Sequence, residues 1–303
     1  MTLAFDLLLV LALLWSALRA VTTPDPARGV VMFIVFGLFM TLAWVRLDAP
    51  DIALAEAAIG AGLTGALLLD ALGAFRGQPT PSRPAWVVRA AVVAGTALLA
   101  GVFVYGLLAL PNGDRPLPGL VDAHLSMTGV VHPITAVLLN YRGYDTLLEI
   151  AVLLLALIGM LSVTPALPAS RGAPPNPVLR TFASVAAPLA VVASGYLLWA
   201  GAHQPGGAFQ AGAVLAAAGV LLYLAGRLPP WISPGGLLRT GLGAGFLIFL
   251  SAGLLMLDEG ALLKYPVETA GGWILTIEAG LTASIGLTLA GLFLVLARRG
   301  ATP

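Results

Sequence analysis

Nine long, continuous apolar stretches dominate this chain and restrict it to a narrow set of folds. A helix needs about 20 mostly apolar residues to cross a hydrocarbon layer of about 30 Å. The stretches lie approximately at 2–20, 29–47, 52–73, 86–109, 146–163, 178–201, 208–226, 237–257 and 272–297. They do not alternate apolar and polar residues over about ten positions, so they predict helices and not strands of a membrane barrel. We therefore predict an all-α polytopic membrane protein with about nine transmembrane helices. The fifth stretch is short at its polar end, so its helix can begin a turn earlier.

The composition excludes several other classes of protein. Of the 303 residues, 59% are hydrophobic and only 10% are charged, whereas a soluble domain has about 25% charged residues. A net charge of +1 leaves no basic patch, so no nucleic-acid partner is predicted. The chain has no cysteine, which excludes disulfides, Cys-ligated metals and thiol nucleophiles. The three histidines lack metal-ligand spacing, and neither a phosphate-binding loop nor a nucleophile triad is present. We therefore expect no enzyme chemistry, no catalytic residue, no metal and no cofactor.

The positive charges predict how the helices are oriented. Cytoplasmic loops of membrane proteins carry an excess of Lys and Arg. In alternate loops of the nine-span arrangement, one side holds eleven of these residues and the other holds four. The larger group consists of Arg19, Arg28, Arg76, Arg83, Arg89, Arg171, Arg180, Arg227, Arg239, Arg298 and Arg299; the smaller group consists of Arg46, Arg115, Arg142 and Lys264. This distribution predicts an N-terminus outside and a C-terminus in the cytoplasm, in the inner or plasma membrane.

Two proline-rich segments divide the chain into three blocks. The segments are 78–84 and 165–177, and Pro and Gly at this density interrupt helices. The first block, 1–74, contains three spans. The second, 85–165, contains two spans around a long connection, and the third, 178–303, contains four. We predict that these blocks are three domains.

Three glutamates inside predicted spans are the strongest functional candidates. Glu56, Glu149 and Glu278 lie in the third, fifth and ninth stretches. An ionisable residue inside a membrane is expensive and by default indicates function. All three helices start from the predicted outer side, with each glutamate roughly 5–10 Å below its helix start. If the helices adjoin, the three carboxylates line one proton or cation path. The alternative is that the helix dipole simply favours acids in a first turn, which fits Glu149 best and Glu278 least.

Polar motifs flank the first two of these glutamates. Asp48 and Asp51 precede the third span, and either of them could cap its helix. Arg142 and Asp145 precede Glu149 by a few positions and can form an ion pair. These flanking residues are either structural anchors or direct participants in handling ions.

A glycine-rich turn connects the sixth and seventh spans. Its sequence runs from 201 to 210 and contains His203, Gly206 and Gly207. Such a turn exposes backbone groups that a ligand or a partner can approach. Because histidine titrates near neutral pH, His203 could relay protons, although a lone histidine in a loop is more often simply solvated.

These motifs resemble those of a known family. The third-span sequence 47–62 resembles the MbhD domain of membrane-bound hydrogenases, which also occurs in the large subunit of Mrp-type Na⁺/H⁺ antiporters. The stretch 141–149 resembles the MbhE domain of the same hydrogenases. Residues 178–297 resemble the small antiporter subunit MrpB (MnhB), and the pattern His-x-Pro-Gly-Gly-x-Phe-x-x-Gly beginning at His203 is its mark. Two positions depart from the family: Ala208 stands where a third glycine is common, and Glu278 replaces an aspartate.

The resemblance implies an accessory subunit of a multisubunit monovalent cation/proton antiporter. It makes Glu56, Glu149 and Glu278 candidates for a route for Na⁺ and H⁺, the expected transported ions. The expected partners are an antiporter-like large subunit, other small subunits and the lipid bilayer. The family's antiporter-like large subunit is absent here, so this chain should not transport alone. The alternatives are a subunit of a hydrogenase-like or other respiratory electron-transfer complex, a purely structural membrane scaffold, and a stand-alone carrier.

Overall fold

The chain folds into helices and their connections, in agreement with the all-α prediction. The computed structural model describes residues 2–74, 85–110, 116–163, 176–228 and 236–299, and these contain no strand. The first proline-rich segment, 78–84, and nearly all of the second, 165–177, lie outside the described residues. The division into three domains, including an MbhE-like domain at 85–165, stays a prediction.

The described residues form twelve α-helices, some of which combine into one span. Eight helical stretches are long and apolar enough to cross a membrane. The predicted seventh span forms a helix of only 17 residues, so it is shorter than the others. The helices are α1 (Thr2–Thr22), α2 (Pro26–Arg46), α3 (Pro50–Ala55), α4 (Thr64–Ala74), α5 (Trp86–Leu108), α6 (Pro116–His124), α7 (Pro133–Ala136), α8 (Gly143–Val163), α9 (Pro177–Ala200), α10 (Ala208–Leu224), α11 (Gly236–Leu255) and α12 (Val267–Arg299).

The ends of several helices follow from local sequence. Asp25 accepts a hydrogen bond from the Ala27 N–H at 3.0 Å and so caps α2, whose first residue is a proline. Asn176 caps α9 in the same way, again before a proline.

The start of the third span differs from expectation. Ala49 occupies the N-cap of α3, and no side chain caps the helix there. The prediction of a cap by Asp48 or Asp51 was therefore wrong. The chain turns sharply at Asp48, which has a φ of 58°, and Asp51 already lies inside the helix.

The third span contains a π-helical segment that the apolar pattern did not predict. The segment Glu56–Leu63 joins α3 to α4. Its small residues allow a close approach to α2, because a Cβ on Gly37 would lie 2.9 Å from the Cβ of Ala61. The small residue Gly60 has a different use. The side chain of Glu56 folds over it, and a Cβ on Gly60 would lie 2.3 Å from Glu56 Oε1.

Helix α12 is the centre of the packed part of the molecule. It contacts α4, α8, α9, α10 and α11. Its large buried apolar side chains recur at helical spacing and are Ile274, Ile277, Leu281, Ile285, Leu289 and Phe293. By contrast, α5 has no buried residue along its whole length. The fold therefore places residues of α12 between several elements and leaves α5 exposed on all sides.

Candidate functional site

Glu278 lies at the centre of the candidate site. It is eleven residues after the start of α12, which corresponds to about 16 Å along the helix axis. Only 4% of its surface is exposed. The Ala208 N–H donates a hydrogen bond to its carboxylate, whereas Oε2 is buried without a hydrogen-bond partner. Buried polar atoms are nearly always paired, and this oxygen has the chemistry to accept a proton, a water molecule or a cation.

A cavity of about 690 Å³ borders Glu278. Residues from α3, α7, α10 and α12 line it, and most of the lining is apolar. The charged or titratable side chains in the lining are those of Asp48, Asp51, His132 and Glu278. A mostly apolar cavity of this size with a few converging polar groups has the character of a binding site.

Asp51 connects three distant parts of the chain at this cavity. Its Oδ1 accepts a hydrogen bond from the Gly206 N–H at 3.1 Å, and its carbonyl oxygen accepts one from Gln210 Nε2 at 3.1 Å. Its Oδ2 lies 3.6 Å from His132 Nε2. Both Asp51 and His132 are buried. The start of the third span, the segment before α7 and the start of α10 therefore meet at one residue.

The turn between α9 and α10 serves the carboxylates of Asp51 and Glu278. The Gly206 N–H donates to Asp51, and the Ala208 N–H donates to Glu278. Between these amides, Gly207 has a φ of 105°, and a Cβ there would lie 2.8 Å from Glu278 Oε1. The glycine-rich turn thus presents its backbone to both acids.

Glu149 borders a different cavity. This second cavity, of about 660 Å³, is lined by Arg142, Asp145 and Glu149 together with apolar residues. Arg142 and Asp145 form the predicted ion pair. Phe209 lines both cavities and lies between the surroundings of Glu149 and those of Glu278.

The other two predicted residues lie apart from these cavities. Glu56 is half-buried in the π-helical segment and is not among the residues that line either cavity. His203 is exposed, and its ring centroid is 5.6 Å from that of Trp199. The structure therefore brings Glu278 together with Asp51, and it does not collect the three glutamates around one cavity.

His132 is the member of the site that sequence reasoning missed. The spacing of the histidines shows no metal-ligand pattern, and no sequence pattern connects His132 with Asp51, which lies in another predicted block. The sequence contains one weak signal for His132, namely the proline that follows it. Proline at a first helical position marks the start of a helix, and His132 is the residue before α7. Among the described residues, no group of three or more His, Asp or Glu side chains is arranged to hold a metal ion.

Two parts of the chain match models of known protein families. Residues 11–76 match the MbhD family model, which describes a subunit of MBH. Residues 178–297 match the model of a domain related to the MnhB subunit of the Na⁺/H⁺ antiporter. No curated protein matches the sequence significantly.

Two solved structures resemble the fold. One is a chain of the Mrp complex from Dietzia sp. DQ12-45-1b, with 24% identity, a TM-score of 0.77 and coverage of 97% of this chain. This chain spans only 34% of the length of that one. The other is a chain of the membrane-bound sulfane sulfur reductase (MBS), an archaeal respiratory membrane complex, with 25% identity and a TM-score of 0.57. That match covers 68% of this chain and 96% of the other.

The fold and the matches define the class of this protein. It is a multi-pass helical protein of the cell membrane. Within that class, the chain joins a region that matches the MbhD family model to a region that matches the model of a domain related to the MnhB subunit of the Na⁺/H⁺ antiporter.

Proposed function

We propose that this chain is an accessory subunit of a multisubunit Na⁺/H⁺ antiporter and that Glu278 belongs to its transmembrane proton and cation pathway. The expected partners are an antiporter-like large subunit and other small membrane subunits. The match to the MnhB-related domain supports the class of complex. The observation that carries the role of the site is Glu278 Oε2, which is buried without a partner beside the cavity.

The chemistry of Glu278 suits reversible binding of a small cation. One carboxylate oxygen faces the backbone at the start of α10, and the other is available to a proton or Na⁺. A carboxylate removed from water is costly unless it binds a proton or a positive charge. Exchange between these two occupants is the elementary step that an antiporter requires. Glu149, at the neighbouring cavity, is proposed to serve the same route.

The test is sodium-dependent proton flux in vesicles that contain the assembled complex. We expect Glu278→Gln and Glu149→Gln to abolish flux, because glutamine has nearly the same shape but cannot take up a proton. Glu268→Gln is the matched control, since Glu268 is an exposed glutamate in the first turn of the same helix as Glu278. It should transport like the wild type. All three variants should remain in the purified complex.

Full flux in both test variants would remove the pathway role and favour a scaffold. A loss of flux caused only by loss of the subunit from the complex would lead to the same conclusion. Na⁺ and K⁺ can be separated in the same assay by exchanging the cation in the buffer.

The second candidate is a membrane subunit of a respiratory electron-transfer complex. The similarity to the sulfane sulfur reductase chain, 96% of which is covered, favours it. Purification of the native complex through this chain distinguishes the two candidates. Co-purifying iron–sulfur clusters, detected by electron paramagnetic resonance, would support the second candidate; a complex without redox centres that shows antiport would support the first.

A further inference from the structure

His132 and Asp51 face the same cavity as Glu278, and both are buried. Each has 9% of its surface exposed. His132 Nε2 lies 3.6 Å from Asp51 Oδ2, which is an ion-pair distance but too long for a direct hydrogen bond. Thr135 Oγ1 lies 3.5 Å from the other ring nitrogen, Nδ1. The imidazole therefore has a carboxylate on one side and a hydroxyl on the other, in a cavity that Glu278 also lines.

From these positions we propose that His132 carries protons between Glu278 and the mouth of the cavity, and that Asp51 stabilises its protonated form. This proposal rests on the pathway role of Glu278 and adds the residue that connects Glu278 to water. Histidine is suited to the task because it gains and loses a proton near neutral pH.

The charges around His132 are arranged to favour this exchange. Asp51 faces it from α3, Glu278 faces the cavity from α12, and Asp48 lines the cavity from the connection between α2 and α3. Helix α10 contributes the neutral Gln210, and α7 contributes the neutral Thr135. His132 is the single basic side chain among the described lining residues.

Asp51 does not need His132 in order to stay in place. The Gly206 N–H already satisfies Oδ1, and Gln210 holds the carbonyl of the same residue. The second oxygen, Oδ2, remains available to interact with the imidazole. The Asp51 carboxylate therefore lies 3.6 Å from His132 Nε2 without depending on it for its own position.

The cavity provides a route for the proton. It reaches the surface of the chain, since Ile52 and Ile134 line it and keep 47% and 42% of their surface exposed. Asp48, another lining residue, is exposed in the connection between two helices. A volume of about 690 Å³ has room for several water molecules. In the proposed relay, a chain of water molecules in this volume lies between Glu278 and His132.

The proton transfer balances without any other reactant. The carboxylic acid form of Glu278 gives its proton, through water, to the neutral imidazole. The products are the Glu278 carboxylate, free to bind Na⁺, and an imidazolium whose charge is compensated by Asp51. The imidazolium then releases the proton to water at the mouth and returns to the neutral form.

The test uses vesicles with the assembled complex and follows sodium-dependent proton flux as a function of pH. We expect His132→Gln to remain in the complex and to lower the flux by at least about a hundredfold, the lower range for loss of a proton-transfer group. We expect His132→Ala to be equally impaired and to recover when free imidazole is added, because the open cavity admits it. His124→Gln is the control, since His124 is exposed on α6; it should transport like the wild type.

Three outcomes would overturn this proposal. They are wild-type flux in His132→Gln at every pH, an impaired but assembled His132→Ala complex that imidazole does not rescue, and loss of both variants from the complex. The last two outcomes would assign a structural role to His132. If Glu278→Gln is inactive while His132→Gln is normal, only the relay is wrong; if Glu278→Gln transports normally, the proposed function itself fails.

Discussion

At the scale of single residues, the site depends on how closely the backbone approaches a carboxylate. Gly207 has a φ of 105° and a ψ of −173°, a region that is almost restricted to glycine. The absence of a side chain allows Glu278 Oε1 to lie against it. The sequence contains this glycine in a glycine-rich turn, but only the structure shows that an acid on another helix lies where its Cβ would be.

Replacement of Gly207 should therefore affect transport more than assembly. Gly207→Ala adds backbone strain of about 1–3 kcal/mol and a Cβ at 2.8 Å from Glu278 Oε1. We expect the carboxylate to move and sodium-dependent flux to fall. Gly260→Ala is the control, because Gly260 also has a positive φ, 94°, but nothing lies within 4 Å of its Cβ position. Equal flux in the two variants would show that contact with Glu278 is unimportant.

Sequence reasoning at this scale was successful for residues whose setting is local. The Arg142–Asp145 pair involves residues three positions apart, and the structure contains it. His132 was missed because its partner Asp51 belongs to a different segment, and no local spacing indicates such a contact. The roles of Glu56, Glu149, Glu278 and His203 in transport stay predictions.

At the scale of elements, the central helix α12 is positioned by small residues on its neighbours. Gly245 of α11 faces α12, and a Cβ there would lie 2.7 Å from the Cβ of Ser284 and 2.8 Å from the Gly280 carbonyl oxygen. The Ser284 hydroxyl also donates a hydrogen bond to the Leu242 carbonyl. The two helices therefore approach closely, as small residues permit in membrane proteins.

We expect Gly245→Ala to destabilise the packing of α11 on α12. Overpacking a close contact costs about 1–3 kcal/mol, which should appear as a lower unfolding temperature of the detergent-purified complex. Gly243→Ala is the matched control, because Gly243 lies on the same helix with nothing within 4 Å of its Cβ position. A similar unfolding temperature for both variants would contradict the close α11–α12 contact.

Element boundaries show the limits of hydropathy. Helix α8 begins at Gly143, about a turn before the apolar run, as expected. Helix α12 begins at Val267, five residues earlier than the apolar run indicated. Glu278 is consequently farther from its helix start than Glu149 is. The π-helical segment around Glu56 was invisible, since an extra residue in a turn does not alter the apolar composition.

At the scale of the whole molecule, large surfaces have no partner within the described part of the chain. Helix α5 has no buried residue. Of the most apolar part of α2, only 6% is buried, compared with 61% for α12. Lipid or other subunits must cover these surfaces in a membrane.

The purified chain should therefore fail to transport by itself. We expect vesicles that contain only this chain to show no sodium-dependent proton flux, whereas vesicles with the assembled complex should show it. The reason is that the proposed function makes this chain an accessory subunit beside an antiporter-like large subunit. Circular dichroism and retention on gel filtration control for correct folding of the isolated chain. Sodium-dependent flux by the folded chain alone would instead identify a stand-alone carrier.

The sequence by itself determined the class of this protein, because the length of an apolar run and the presence of a carboxylate inside it are local properties. It also determined the two domain types that the family models match, through motifs that are contiguous along the chain. Only the tertiary structure decided which polar groups meet. Asp51, His132 and Glu278 come from three separate segments, and helix packing brings them to one cavity and places Glu149 at another. Such contacts depend on how helices pack in three dimensions, which apolar periodicity does not specify.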